Sequence, residues 1–238
     1  MPILLGQLLL VAIIGYLWGS VPAGYWMGKL LRGKDFDIRA YGSRKIGATN
    51  VLRTLGRGPA AIVFVFDLSK GLGPALLATF VPAFYISGWG PPLAALLALI
   101  GHCYPIFIGF RGGRGVSTGA GALLVLSPLV FVISGITTFT TIITSRYVSL
   151  GSILGSVSAI VFSLIFFFVG LANPAFFGKV PFPYLLFLVF GPLLVIILHY
   201  DNIGRLLAGT ERKIGQKVQV EEQPKPGTPS NSSSNVQA

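Results

Sequence analysis

Residues 110–118 read Phe-Arg-Gly-Gly-Arg-Gly-Val-Ser-Thr, gathering three glycines, two arginines and two hydroxyls at the end of an apolar run. Glycine lets backbone N–H groups crowd around an anion, and a guanidinium offers a fixed fork of donors matched to phosphate. Polar atoms beside a bilayer are costly and tend to mark function. Gly112, Gly113, Arg114 and Gly115 therefore make a candidate phosphate cradle. A membrane-edge turn whose arginines touch lipid head groups has the same composition, and the loop alone does not choose.

Three more polar islands interrupt the apolar sequence. Residues 35–56 hold Ser43, Thr49, Asn50 and Arg53, all able to hydrogen-bond an anion, with Gly42 and Gly47 bracketing a turn. Thr49-Asn50 is placed to cap a helix, and Arg53 follows Asn50 by three residues, which puts both on one helix face. Asp67 and Lys70 lie inside an apolar run at a spacing that permits an ion pair, and a structural role is favoured over a catalytic one. His102 sits in an apolar span and reads first as a hydrogen-bonded core histidine, with the glycine loop and Ser149 nearby in the same group. In the last island His199, Asn202 and Arg205 recur every three residues, so one helix face carries an imidazole, an amide and a guanidinium. Glu211 follows, and its natural partners are arginines.

These islands hang on a strongly apolar chain. Of 238 residues 53% are hydrophobic and 11% charged, which describes an all-α polytopic membrane protein and excludes a soluble domain with one core. Apolar runs fill 3–31, 59–87, 91–110, 116–145, 148–172 and 182–199. The net charge of +11 is placed by loop: seven basic residues fall from Arg32 to Arg57, more follow at Arg111, Arg114 and Arg146, and others in the tail. Segment 86–92 has no charge and 171–183 only Lys179. That is the positive-inside pattern, which argues against nucleic acid as the partner and puts the basic loops in the cytoplasm. No charged region precedes the first span, since Lys29 is the first basic residue, so the N-terminus is expected outside with no cleaved signal peptide. With the basic C-terminus inside, an even number of crossings must join residue 115 to residue 200. Splitting 116–145 at Ser127-Pro128 supplies it, giving about seven transmembrane helices, some short. Residues 1–217 form the membrane domain on this reading, and 218–238, rich in Ser, Asn, Pro and Gly, a disordered polar tail.

Several cationic islands at one membrane face imply a phosphorylated substrate. The single Cys103, within a span, rules out a disulfide and a cysteine metal cluster, and no metal or cofactor is expected. The His-x4-Asp arrangement of common glycerolipid acyltransferases is missing, as is the Asp-rich signature of CDP-alcohol phosphotransferases: five residues after His102 stands Phe107, and after His199 Gly204. A transporter or flippase for a phosphorylated metabolite would use the same arginines, but calls for polar residues deep in the spans; no internal repeat supports it. A membrane scaffold leaves the glycine loop unexplained.

Taken together, the motifs resemble the bacterial glycerol-3-phosphate acyltransferases that use acyl phosphate as donor, the PlsY family. The resemblance covers about residues 10–215. It is carried by Gly19-Ser20-Val21-Pro22, Asp37-Ile38-Arg39, Gly42-Ser43, Ile46 through Val51, Arg53, Asp67, Lys70-Gly71, Gly101-His102 and Tyr104-Pro105. Phe110 through Thr118, Arg146 through Ser149, His199, Asn202-Ile203, Arg205 through Leu207, Gly209 and Glu211 complete it. It departs at Arg44-Lys45, where the family usually has Gly-Asn, at Arg114 in place of lysine, and at Leu198 in place of arginine.

The resemblance implies direct attack by the 1-hydroxyl of sn-glycerol 3-phosphate on the acyl carbonyl, giving 1-acyl-glycerol 3-phosphate and phosphate. In this picture Arg53, Arg114 and the Gly112–Gly115 amides hold phosphate, and Ser43 and Ser149 orient oxygens. His199, Asn202 and Arg205 place glycerol 3-phosphate, while Glu211 fixes an arginine. Thr49, Asn50, Lys70 and His102 add substrate contacts. The proton acceptor is left between His199 and a substrate phosphate oxygen. The resemblance also implies no cofactor, a monomer among membrane lipid, and a bacterial inner-membrane location with the site facing the cytoplasm.

Overall fold

Proline and glycine divide the apolar runs into helices. The computed structural model describes residues 2–216, which are all-helical with no strand among them. Helix α1 (Pro2–Ser20) stops at Val21-Pro22, and α2 (Ala23–Arg32) carries the chain to the first polar loop. Next come α3 (Ala48–Thr54), α4 (Arg57–Phe80), the single-turn α5 (Pro82–Tyr85) and α6 (Gly90–Cys103). After the glycine loop follow α7 (Val116–Leu126), α8 (Pro128–Ser145), α9 (Val148–Ala172), the short α10 (Pro174–Phe177), α11 (Phe182–Ile197) and α12 (Tyr200–Leu207).

Five stretches are long and apolar enough to cross a bilayer: Ile3–Arg32, Arg57–Phe80, Gly90–Ile108, Pro128–Ser145 and Val148–Ala172. A sixth is counted if α11 is taken with α12, which turns from it by 54°. The expected break at Ser127-Pro128 is present: α7 ends at Leu126, and Pro128 opens α8 at a position where its missing N–H costs nothing. The eleven-residue α7, about 16 Å long, is the seventh apolar segment. It is too short to span alone and is covered by protein, with Thr118, Gly121, Ala122, Leu123 and Leu126 buried. On α8, Leu129, Val132, Ile136, Phe139 and Ile143 are exposed at helical spacing, a stripe turned outward to lipid.

One expectation about a helix end is corrected. Thr49-Asn50 does not cap α3; the helix begins at Ala48 after an extended Gly47, which puts both residues inside its first turn. The proposed tail, 218–238, lies outside the described residues.

Small residues set the helix crossings. A methyl group on Gly19 would strike the Ala98 carbonyl, and one on Gly101 the Tyr16 carbonyl, so α1 and α6 touch backbone to backbone. At the α4–α7 crossing Gly71 meets the Thr118 carbonyl, and Gly121 the Leu68 carbonyl. Lipid tails are as apolar as leucine, so close packing of this kind holds membrane helices together. The hydroxyl of Thr118 donates to the Asp67 carbonyl at 2.9 Å across the same contact. This crossing holds the start of α7, and therefore the end of the glycine loop, at a fixed height.

Gly71→Ala should cost about 1–3 kcal/mol through overpacking, read as a lower midpoint of thermal unfolding in detergent. Gly119→Ala, whose added methyl meets nothing within 4 Å, should leave the midpoint unchanged. Equal midpoints for both variants would rule out the backbone contact as the fixed point.

Candidate active site

The loops that carry the polar islands converge at one end of the bundle. Glu211, on the stretch after α12, is 8% exposed. Its Oε1 accepts from the Ser149 hydroxyl at 3.0 Å and from Asn202 Nδ2 at 2.8 Å, while Oε2 accepts from Arg205 Nε at 2.7 Å. One carboxylate thus ties the first turn of α9 to two residues of α12. Helix α12 is short and amphipathic, and Asp201, Asn202 and Arg205 stand on its polar side.

Asp201 does a second job of the same kind. Its Oδ2 accepts from a terminal nitrogen of Arg114 at 2.7 Å and from Arg205 at 3.4 Å, and Arg114 Nε donates to the Leu198 carbonyl at 3.2 Å. Burial works to raise the Asp201 pKa, but the charge and hydrogen bonds of Arg114 and Arg205 outweigh it and hold the carboxyl below its usual range. Arg53 comes from α3 and donates to the Arg212 carbonyl at 3.3 Å. Burial pushes the pKa of both Arg53 and Arg114 down, so their charge is incompletely solvated. Three arginines face two carboxylates here, and the surplus positive charge in a half-buried setting favours an anion.

His199 precedes α12 and is 3% exposed. Its Nδ1 lies 2.7 Å from the Val195 carbonyl, so Nδ1 carries the hydrogen and donates. Nε2 keeps a lone pair. Asp201 Oδ1 and Asn202 Oδ1 are buried acceptors with no donor among the described residues. A ligand with both phosphate and hydroxyl groups would match this mixture of surplus cations and unused acceptors.

The glycine loop differs from the cradle expected of it. The Gly112 N–H donates to the Cys103 carbonyl and the Gly113 N–H to the His102 carbonyl, both at 3.1 Å, so these amides finish α6 and do not face an anion. A methyl on Gly113 would overlap His102 Nε2, which explains the glycine by packing. Gly115 takes the left-handed conformation at φ +82° and starts α7, whose first N–H groups have no intrahelical acceptor. The loop's chemical contribution is therefore the side chain of Arg114 and the head of α7.

Three other expected ligands take structural positions, and two more do not join the cluster. Lys70 is 1% exposed, with Nζ 2.5 Å from Asp67 Oδ1, and His102 Nδ1 lies 3.5 Å from the same oxygen. Lys70 and His102 thus sit below the loop with Asp67 and support it. Asn50, 1% exposed, donates to the carbonyls of Ile38, Tyr41 and Lys45 and accepts from the Ser43 N–H at 3.0 Å. Its amide is spent on shaping the first loop. Thr49 and Ser43 are half-buried on that loop, and among the described residues no contact joins either hydroxyl to the Glu211 cluster. Arg53, Arg114, Ser149, His199, Asn202, Arg205 and Glu211 do gather. Asp201 was missed by the sequence reading, although its i,i+4 spacing to Arg205 was a usable signal. Among the described residues no three His, Cys, Asp or Glu side chains converge as metal ligands.

Comparison with known proteins agrees with this architecture. The sequence profile of the family described as "Glycerol-3-phosphate acyltransferase" matches residues 9–209. A glycerol-3-phosphate acyltransferase 3 of Dehalococcoides mccartyi is 41% identical over 223 residues, covering 90% of this chain and 99% of that one. A glycerol-3-phosphate acyltransferase 2 of Moorella thermoacetica is 43% identical over 211 residues, with 88% and 98% covered. The crystal structure of PlsY (YgiH), an integral membrane glycerol 3-phosphate acyltransferase, in its glycerol 3-phosphate form, superposes with a TM-score of 0.74 at 36% identity. The match covers 87% of this chain and 96% of that one. Its lysophosphatidic acid form gives 0.72, also at 36% identity, with 88% and 96% covered.

The His199 geometry has a direct readout. In 15N-labelled protein at neutral pH the ring should appear as the Nδ1–H tautomer. A ring carrying its hydrogen on Nε2 would mean that it is not held as described.

Proposed function

This chain belongs to the glycerol-3-phosphate acyltransferase family, and from that premise we propose that it moves a fatty acyl group from acyl phosphate to the 1-hydroxyl of sn-glycerol 3-phosphate. The products are 1-acyl-glycerol 3-phosphate and inorganic phosphate, at the first step of membrane phospholipid synthesis. The observation that carries the reading is the convergence of Arg53, Arg114 and Arg205 with His199 and Asn202 at one end of a membrane bundle.

Acyl phosphate is a mixed anhydride with a good leaving group, so the hydroxyl oxygen can bond to the acyl carbon directly while the carbon–oxygen bond to phosphate breaks. No covalent acyl-enzyme is needed. Arg53 and Arg114 hold the two phosphates and take up the negative charge that builds on the leaving group. His199 Nε2 accepts the hydrogen bond of the attacking hydroxyl and aims it. Its Nδ1–H is held by a carbonyl and not by a carboxylate, which leaves Nε2 a modest base. A phosphate oxygen, whose second pKa is about 6, is the better acceptor, so the proton goes to substrate phosphate. Ser149 and Asn202 hold Glu211, which fixes Arg205. Holding two substrates together in a half-dry pocket supplies much of the acceleration. The site end, with its basic loops, faces the cytoplasm across the bacterial plasma membrane, and one chain with its surrounding lipid is the working unit.

Acyl transfer by purified protein tests this. Palmitoyl phosphate should give lysophosphatidic acid, while acyl-CoA and acyl carrier protein donors should give none. Arg114→Ala should lower kcat/KM by about 10²–10³. Asp201→Asn keeps the shape but frees Arg114, and should lower kcat/KM by about tenfold, the loss of one charged hydrogen bond. Product from acyl-CoA at an equal rate would overturn the donor assignment, and full activity of Arg114→Ala would overturn the site.

A further inference from the structure

The first loop and the glycine loop enclose a cavity of about 510 Å³ that is separate from the Arg114–Glu211 cluster. Its lining includes none of Arg53, Arg114, Ser149, His199, Asn202, Arg205 or Glu211, although Leu198 lines it and its carbonyl accepts from Arg114. The charged walls are Asp37, Arg39, Arg44, Lys45 and Arg111. Arg39 is spent: it grips Asp37 at 2.8–3.1 Å, donates to the Ile108 carbonyl at 2.8 Å and lies over the Tyr25 ring. Asp37 and Arg39 cancel. Arg44, Lys45 and Arg111 remain, and among the described residues no carboxylate lies within ion-pair distance of any of them. Three cations with no carboxylate partner around one hollow give it a positive potential that favours an anion.

Arg44 also stands in a conformation that arginine disfavours. Its φ is +57°, in the left-handed region, and its N–H closes a turn onto the Tyr41 carbonyl at 3.0 Å. The resembling family usually has Gly-Asn where this chain has Arg44-Lys45, and glycine would hold that turn without strain. A strained, charged side chain facing a hollow calls for a reason in function. The lining supplies the setting: Tyr104 and Phe110 are exposed there, as aromatic side chains at a bilayer interface are.

We propose that Arg44, Lys45 and Arg111 form a second anion site, one that takes a phosphate monoester, either free in solution or as the head group of a lipid. The site stands whether or not the neighbouring cluster performs acyl transfer.

Equilibrium dialysis of delipidated protein in detergent against radiolabelled inorganic phosphate tests the free form. Wild type should bind one equivalent more than the double variant Arg44→Gly/Lys45→Asn, and the binding that remains in the double variant should fall in Arg114→Ala. Native mass spectrometry with phosphatidic acid or phosphatidylcholine tests the lipid form. Wild type should retain phosphatidic acid selectively, and the double variant should bind it at least about tenfold more weakly, as expected on losing charged donors. Loss in the dialysis arm assigns the site to free phosphate, and loss only in the lipid arm assigns it to a head group. The glycine at φ +57° should leave the unfolding midpoint unchanged or raise it, and Arg111→Gln gives an independent second variant. Wild type and both variants behaving alike toward both probes, or wild type binding neither, would overturn the proposal.

Discussion

Charge kept at the edge of a bilayer has to be answered by opposite charge, and this chain has only seven acids for eighteen lysines and arginines. Four of the acids each hold a specific cation. Asp37 holds Arg39, Asp67 holds Lys70, Asp201 holds Arg114 and Arg205, and Glu211 holds Arg205. Each pair also joins elements that lie apart in the chain or props up one that does. Where acids are so few, their positions decide which cations are structural and which are left to meet a ligand. The Asp67–Lys70 pair is fully enclosed, and removing one partner of such a pair costs about 3–5 kcal/mol because the other is left buried and alone.

The glycine loop is rigid for reasons that have little to do with an anion. Its first two amides complete α6, His102 packs beneath Gly113, and the Gly71–Thr118 contact fixes the head of α7. A phosphate arriving at Arg114 therefore meets a loop that is already ordered. Little conformational entropy remains to be lost on binding, and more of the interaction energy is left for positioning the reactants. Arg114 gains from this as well, because Asp201 and the Leu198 carbonyl hold its guanidinium in place.

Much of the architecture could be read from local pattern. Hydropathy marked the apolar runs, and Pro128 marked the break between α7 and α8. Parity calls for about seven crossings, whereas five stretches, or six with the bent α11–α12 pair, are long and apolar enough to span. Glu211 was expected to seek arginine, and Arg205 is its partner. What local pattern could not show was where donors are already spent. Gly112 and Gly113 look available until the carbonyls of His102 and Cys103 are brought beside them, and Asn50 looks like a ligand until the first loop folds around it. Lys70 and His102 were ambiguous because their burial depends on how α4 meets α6 and the loop above. Asp201 was passed over for its polar neighbours, although it organises two of the arginines.

Arg53 and the Arg212 carbonyl are bonded across 159 positions, and Glu211 follows every apolar segment of the described chain. At about 5–20 residues per second, a ribosome needs on the order of ten to thirty seconds to make the chain between them. Throughout that interval the arginines of the first loop are present while the carboxylate that organises Ser149, Asn202 and Arg205 is not. On the proposed assignment, the site is complete only after every apolar segment of the described chain has been made. A nascent chain halted before Glu211 lacks the carboxylate on which that assignment rests.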